Sequence, residues 1–138
     1  MPVAPSAAEP VAASPVTAPA VPAKPATATY TEAQADRGRS AFRATCAECH
    51  YSSEFRGSQF QFSWRRRSVG DLYGDISRNM PEDDPGSLEP QVYVDVVAYI
   101  LQLNGFPAGE TELPADETVL DGFSMAAPAG GAPQGGAP

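Results

Sequence analysis

The sequence predicts a small all-α domain, and three observations lead there. Apolar residues recur at helical spacing in successive stretches, with Thr31 and Ser68 as caps before two of them and Pro90 in the first turn of the last. Residues 1–29 and 124–138 are dominated by alanine, proline and glycine, which cannot bury enough apolar surface to offset chain entropy. The foldable part is therefore 30–123, one domain near the lower size limit for a protein core. The flanks read as a disordered linker (1–29) and a low-complexity tail (124–138).

The first helix starts after Thr31 and runs from Glu32 to about Ala44. Gln34, three residues on, completes a capping box with Thr31. Gly38 and Phe42 share a face of this helix. A glycine inside a helix costs up to about 1 kcal/mol against alanine. Gly38 therefore suggests that a second helix crosses closely there; a tolerated surface glycine is the alternative.

Cys46-Ala47-Glu48-Cys49-His50 follows, the spacing of a c-type haem attachment site. Each thiol adds across one porphyrin vinyl group, and the next residue then lies under the iron. Cys46 and Cys49 thus become covalent anchors and His50 the proximal ligand of one haem c. A structural zinc site wants four Cys or His ligands, and the chain holds two cysteines and one histidine. A disulfide across two intervening residues would be strained. A dithiol redox pair remains as the alternative, without the strand–helix–strand pattern that usually surrounds one.

Residues 51–67 are ambiguous. Phe60, Phe62 and Trp64 alternate with polar residues at the strand period, and a haem-wrapping loop fits equally. Arg65-Arg66-Arg67 reads as a solvated face, or as the source of a partner, with the Trp64 N–H, for a haem propionate. Ser68, with Asp71 at the third position, caps a second helix whose Val69, Leu72, Tyr73 and Ile76 form one apolar stripe.

That helix leads to Asn79-Met80-Pro81. A residue before proline is pushed towards extended geometry, so Met80 is presented from a loop. Its thioether suits haem iron. The chain has no second histidine, Met1 and Met125 sit in the low-complexity ends, and Lys24 is in the leader. Met80 is thus the candidate sixth ligand, against the alternative of a gap-filling core methionine. After the acidic turn 82–86, a third helix with Pro90 in its first turn runs to a stop at Asn104-Gly105. Val92, Val96 and Ile100 make one row, and Tyr93, Val97 and Leu101 the next, so this helix should be well buried and should be the one that meets Gly38 and Phe42. Residues 106–123 read as an extension anchored by Phe106, Leu113, Leu120 and Phe123.

Net charge is −8 and unevenly spread: Tyr30–Arg78 holds eight arginines against six acids, and Asn79 onward ten acids and no base. The dipole can orient the domain during encounter with a partner, and so acidic a chain argues against nucleic acid as that partner. No stretch is long enough to span a membrane, and the first residues lack the basic start and apolar run of a signal peptide. Haem attachment of this kind is made outside the cytoplasm, so a periplasmic or otherwise exported location is expected, with the export segment removed and residues 1–29 serving as a possible tether.

Gly38-x-x-x-Phe42, Cys46-x-x-Cys49-His50, Met80-Pro81 and Val96-Val97-Ala98-Tyr99-Ile100-Leu101, in that order, resemble a class I c-type cytochrome over about residues 30–105. Met80-Pro81 with Pro85-Gly86-Ser87-Leu88, and Asn104-Gly105-Phe106-Pro107-Ala108-Gly109, are similar to bacterial monohaem cytochromes, including cytochrome domains of quinoprotein alcohol dehydrogenases. The resemblance implies a compact all-α fold, crossed first and last helices, an exposed haem edge and His/Met ligation. It implies a carrier of single electrons between a redox donor and acceptor, not an enzyme. Alternatives are a tethered domain or subunit of a larger dehydrogenase or electron-transfer complex, a haem sensor or haem enzyme, and a haem-free dithiol oxidoreductase. Two features depart from the pattern. No proline lies between His50 and Pro81 to orient the His50 ring through its carbonyl, so another group must do so. Residues 30–123 also hold no lysine, so a lysine-ringed docking face is not carried over.

Overall fold

Helix α1 (Glu32–Thr45) begins where the Thr31 hydroxyl accepts the Gln34 amide at 3.0 Å, in a computed structural model that describes residues 26–126. The expected capping box is only half made. The Gln34 side chain is fully buried and bonds instead to the Leu113 backbone, donating to its carbonyl at 3.0 Å and accepting its amide at 2.8 Å. A long-range partner that satisfies both ends of a buried amide outweighs a local one. It also staples the 106–116 segment onto α1.

The ambiguous stretch resolves into a 3₁₀ turn (Ser52–Phe55) and a short helix, α2 (Ser58–Trp64). Neither the strand nor the loop expected for Phe60, Phe62 and Trp64 is found. Phe60 is buried, Phe62 on the opposite face is 69% exposed, and Trp64, four residues from Phe60, returns to its side. Their alternation was one helical turn sampled at every second residue.

Helix α3 (Val69–Asn79) carries a complete capping box, Ser68 and Asp71 each bonding the other's amide. Its stripe is buried at Val69, Leu72 and Tyr73, with Ile76 half-buried. Helix α4 (Pro90–Leu103) is buried from Tyr93 through Leu101. It stops as its sequence demands. Gly105 adopts φ 82°, its amide reaches the Gln102 carbonyl and the Phe106 amide reaches Leu101, which is the Schellman pattern. Helix α5 (Glu117–Leu120) lies on α3, joined by Ser68–Asp121 and Arg78–Glu117 bonds. A two-residue parallel pair, β1 (Ala26–Thr27) with β2 (Phe123–Ser124), brings the two ends of the described chain together. Phe106, Leu113 and Leu120 are buried anchors, and Phe123 packs at the core margin. The readings of 1–29 as linker and 124–138 as tail lie outside the described residues over 1–25 and 127–138; within them, Ala26–Thr27 and Ser124 are in the strand pair and Ala28 is buried. Met125, grouped above with the tail, is buried, and its amide donates to the Arg67 carbonyl.

Helices α1 and α4 form the principal packing pair, and Gly38 is where they touch. A Cβ placed there would fall on the Asp95 carbonyl oxygen and 3.0 Å from the Tyr99 Cβ. The Asp95 carboxylate is 7% exposed and is gripped by Arg37 through Nε at 3.1 Å and Nη2 at 3.2 Å, with Gln91 at 2.7 Å. The crossing is therefore closed by backbone contact on one side and a charge-assisted fork on the other. Gly38→Ala should destabilise the domain. The helix-propensity gain is about 1 kcal/mol at most, whereas forcing a methyl into packed backbone costs about 1–3 kcal/mol. Thermal unfolding checks this, and a variant as stable as the parent would refute the close crossing.

Candidate functional site

Helix α1 ends at Cys46, and the chain at once tightens into a 3₁₀ turn over Cys46–Glu48. The Cys49 amide (3.1 Å) and the His50 amide (2.9 Å) both donate to the Cys46 carbonyl. This curl turns Cys46, Cys49 and His50 towards one cavity of about 660 Å³, within the ~300–1,000 Å³ range of cofactor sites. Both thiols are free; burial pushes the Cys46 thiol up, and Cys49 is exposed.

The cavity walls come from every helix except α5. Phe42 closes the α1 side, Leu72 and Ile76 the α3 side, and Val96 and Ile100 the α4 side. Phe55 sits at an aromatic corner, with edge contacts to Phe42 at 5.8 Å, His50 at 5.4 Å and Phe60 at 6.2 Å between centroids. Phe60 in turn stacks on Trp64 at 6.1 Å, and the Arg67 guanidinium lies over the Trp64 ring at 4.2 Å. Trp64 lines the cavity; Arg65, Arg66 and Arg67 do not, and all three are exposed. Arg65 instead lies over the Phe62 ring and Arg67 over the Trp64 ring.

Met80 lines the same cavity from the 80–88 loop. It caps α3 with φ −121° and ψ 149°, the extended geometry its following proline imposes. Tyr93 holds the loop in place. Its hydroxyl donates to the Met80 carbonyl at 2.7 Å and accepts the Leu88 amide at 3.2 Å. The four residues singled out in the sequence, Cys46, Cys49, His50 and Met80, therefore share one cavity. Met125 lines no part of it.

The donor set suits a c-type haem: two thiols, one imidazole and one thioether around a space walled by apolar and aromatic side chains. The walls exclude water from a large flat apolar group. The rim is charged differently. Glu48, Asp75, Glu82, Asp83 and Asp84 border the cavity, and no lysine or arginine does among the described residues. The described residues hold no cluster of three or more His, Cys, Asp or Glu arranged for a separate metal ion.

One polar neighbour of the site was not singled out in the sequence. Glu54 Oε1 lies 3.1 Å from His50 Nδ1, and Glu54 Oε2 accepts the Tyr51 amide at 2.6 Å. The Tyr51 amide, and then the His50 ring, hold the Glu54 carboxyl below the usual carboxylate range. The signal was present as an acid four residues after the histidine, but it becomes meaningful only once the 52–55 turn folds the chain back.

The family described as "Cytochrome C oxidase, cbb3-type, subunit III" matches residues 33–100. That span runs from α1 through the haem motif and Met80 into α4. Neither the curated proteins nor the solved structures contain a match to the chain. The described residues include no helix long and apolar enough to cross a membrane.

Tyr93→Phe should loosen the Met80 loop, because it removes both bonds that tie Met80 and Leu88 to α4. At about 0.5–1.5 kcal/mol for a typical hydrogen bond, the loss should be about 1–3 kcal/mol in chemical denaturation. A change below about 0.5 kcal/mol would show that the hydroxyl does not hold the loop.

Proposed function

Because the chain is a c-type cytochrome, we propose that it carries single electrons between two redox proteins through iron ligated by His50 and Met80. The observation that supports this most is the convergence of Cys46, Cys49 and His50 with Met80 on one apolar cavity. When bound, haem c supplies reversible one-electron chemistry at its iron. The residues of the chain do the rest. Cys46 and Cys49 anchor the group, and His50 and Met80 offer a nitrogen and a sulfur from two separate segments. Phe42, Leu72, Val96 and Ile100 exclude water, and a thioether ligand in an apolar site favours the reduced state. With His50 and Met80 both given to the iron, no ligand position would be left for oxygen or peroxide, in keeping with a carrier and not an enzyme.

The acidic rim suits a partner with a cationic face. Attraction between opposed patches speeds encounter and is screened by salt. An exported, periplasmic setting accords with cytochrome c domains of this kind. A second reading has a specific support: the matching family is described as a subunit of an oxidase. On that reading the domain hands electrons on inside a larger assembly instead of diffusing between partners.

The visible spectrum of natively matured protein, compared with Met80→Ala, tests the ligation. The parent should be low-spin, with the weak far-red methionine–ferric band, and the variant should lose that band. A high-spin parent, or a variant with an unaltered spectrum, would remove Met80 as ligand and bring a ligand-binding sensor or haem enzyme to the front.

A further inference from the structure

We propose that Glu54 is the positioning residue of the proximal histidine: its carboxylate takes the His50 ring N–H, fixes the ring, and lowers the reduction potential of the iron. This rests on the reading of His50 as ligand. If Nε2 faces the iron, Nδ1 carries the proton and must find an acceptor. No proline lies between His50 and Pro81 to offer a carbonyl there. The acceptor within reach is Glu54 Oε1, at 3.1 Å.

The carboxylate is itself fixed. Its second oxygen takes the Tyr51 amide at 2.6 Å, so one donor on each oxygen sets its plane. The turn that carries it is clamped from behind. Asn104, buried at the end of α4, donates through Nδ2 to the Phe55 carbonyl at 2.7 Å and to the Ile100 carbonyl at 2.8 Å. The Phe55 ring meets the His50 ring edge-on at 5.4 Å. The His50 amide is held by the Cys46 carbonyl. The imidazole is thus bounded by its own backbone, an aromatic edge and a charged acceptor.

A carboxylate differs from a carbonyl in this place because it carries a full negative charge. It makes the imidazole a stronger donor and favours the ferric state. His50 is 30% and Glu54 45% exposed, so water weakens the effect without cancelling it. Glu54 opposes the pull of Met80 and haem burial towards the reduced state, and so sets the potential between the two.

The test uses natively matured holoprotein with Glu54→Gln and Glu54→Asp. Potentials are measured by spectroelectrochemistry, and the iron–histidine stretch by resonance Raman in a Met80→Ala background. Glu54→Gln should raise the ferrous-to-ferric ratio at fixed poise about tenfold, an upward shift of about 59 mV for one electron. It should also lower the iron–histidine stretching frequency. Glu54→Asp keeps the charge and should stay closer to the parent in both. A Gln variant that is low-spin with an unmoved potential and stretch would overturn the proposal, as would equal shifts in Gln and Asp. Failure of the reading beneath it looks different: the Met80→Ala protein with Glu54 intact would then lack an iron–histidine stretch altogether.

Discussion

The contact between Gly38 and the Asp95 carbonyl sets the geometry on which the site depends. With backbone against backbone, α1 and α4 cannot slide apart or rotate without opening the core. Residues within about two turns of the crossing inherit that rigidity. Phe42 and Cys46 project from the end of α1, and Val96 and Ile100 from the facing stretch of α4. One side of the cavity and the start of the haem motif are thus fixed by the same packing event. Arg37 reinforces it from outside, bridging the buried Asp95 to Glu112 and tying in the C-terminal extension.

The remaining walls are hung on this pair by polar ties at chosen points. Tyr93 secures the Met80 loop, Asn104 the 52–55 turn, and Gln34 the segment around Leu113. Each is a side chain that bonds to backbone far along the chain. Such ties cost little when fully satisfied and are expensive to break in a dry interior. They leave the cavity walls themselves apolar, as a haem requires, and keep charge at the rim. Cavity and rim thereby differ in kind: the walls suit an apolar cofactor, and charge is confined to the border.

Much of this was legible in the sequence. The helices over 32–45, 69–79 and 90–103 announced themselves through Thr31, Ser68 and Pro90 at their starts, Met80-Pro81 and Gly105 at two of their ends, and apolar rows at helical spacing. Those signals are local, and local signals survive folding. The haem motif and Met80 could be named because few other residues in the chain can ligate iron. Residues 51–67 were not legible, since a seven-residue helix offers too few turns to separate a period of two from one of 3.6. The Gln34 side chain was assigned to Thr31 because its true partner, Leu113, lies 79 residues away. Glu54 was missed for the same kind of reason: its importance depends on a turn that no residue in the segment marks. Met125 looked like tail by composition, yet it is buried, and its amide bonds the Arg67 carbonyl.

A soft sulfur and an imidazole nitrogen border one apolar cavity, and the proposed electron carriage rests on that pairing. X-ray absorption at the iron edge of the ferric, natively matured protein tests it most directly. With Met80 and His50 as ligands, the expected result is a single sulfur scatterer in the first coordination shell, with the rest nitrogen. A shell of nitrogen and oxygen alone would contradict it, because Met80 would then stand in the cavity without holding the iron.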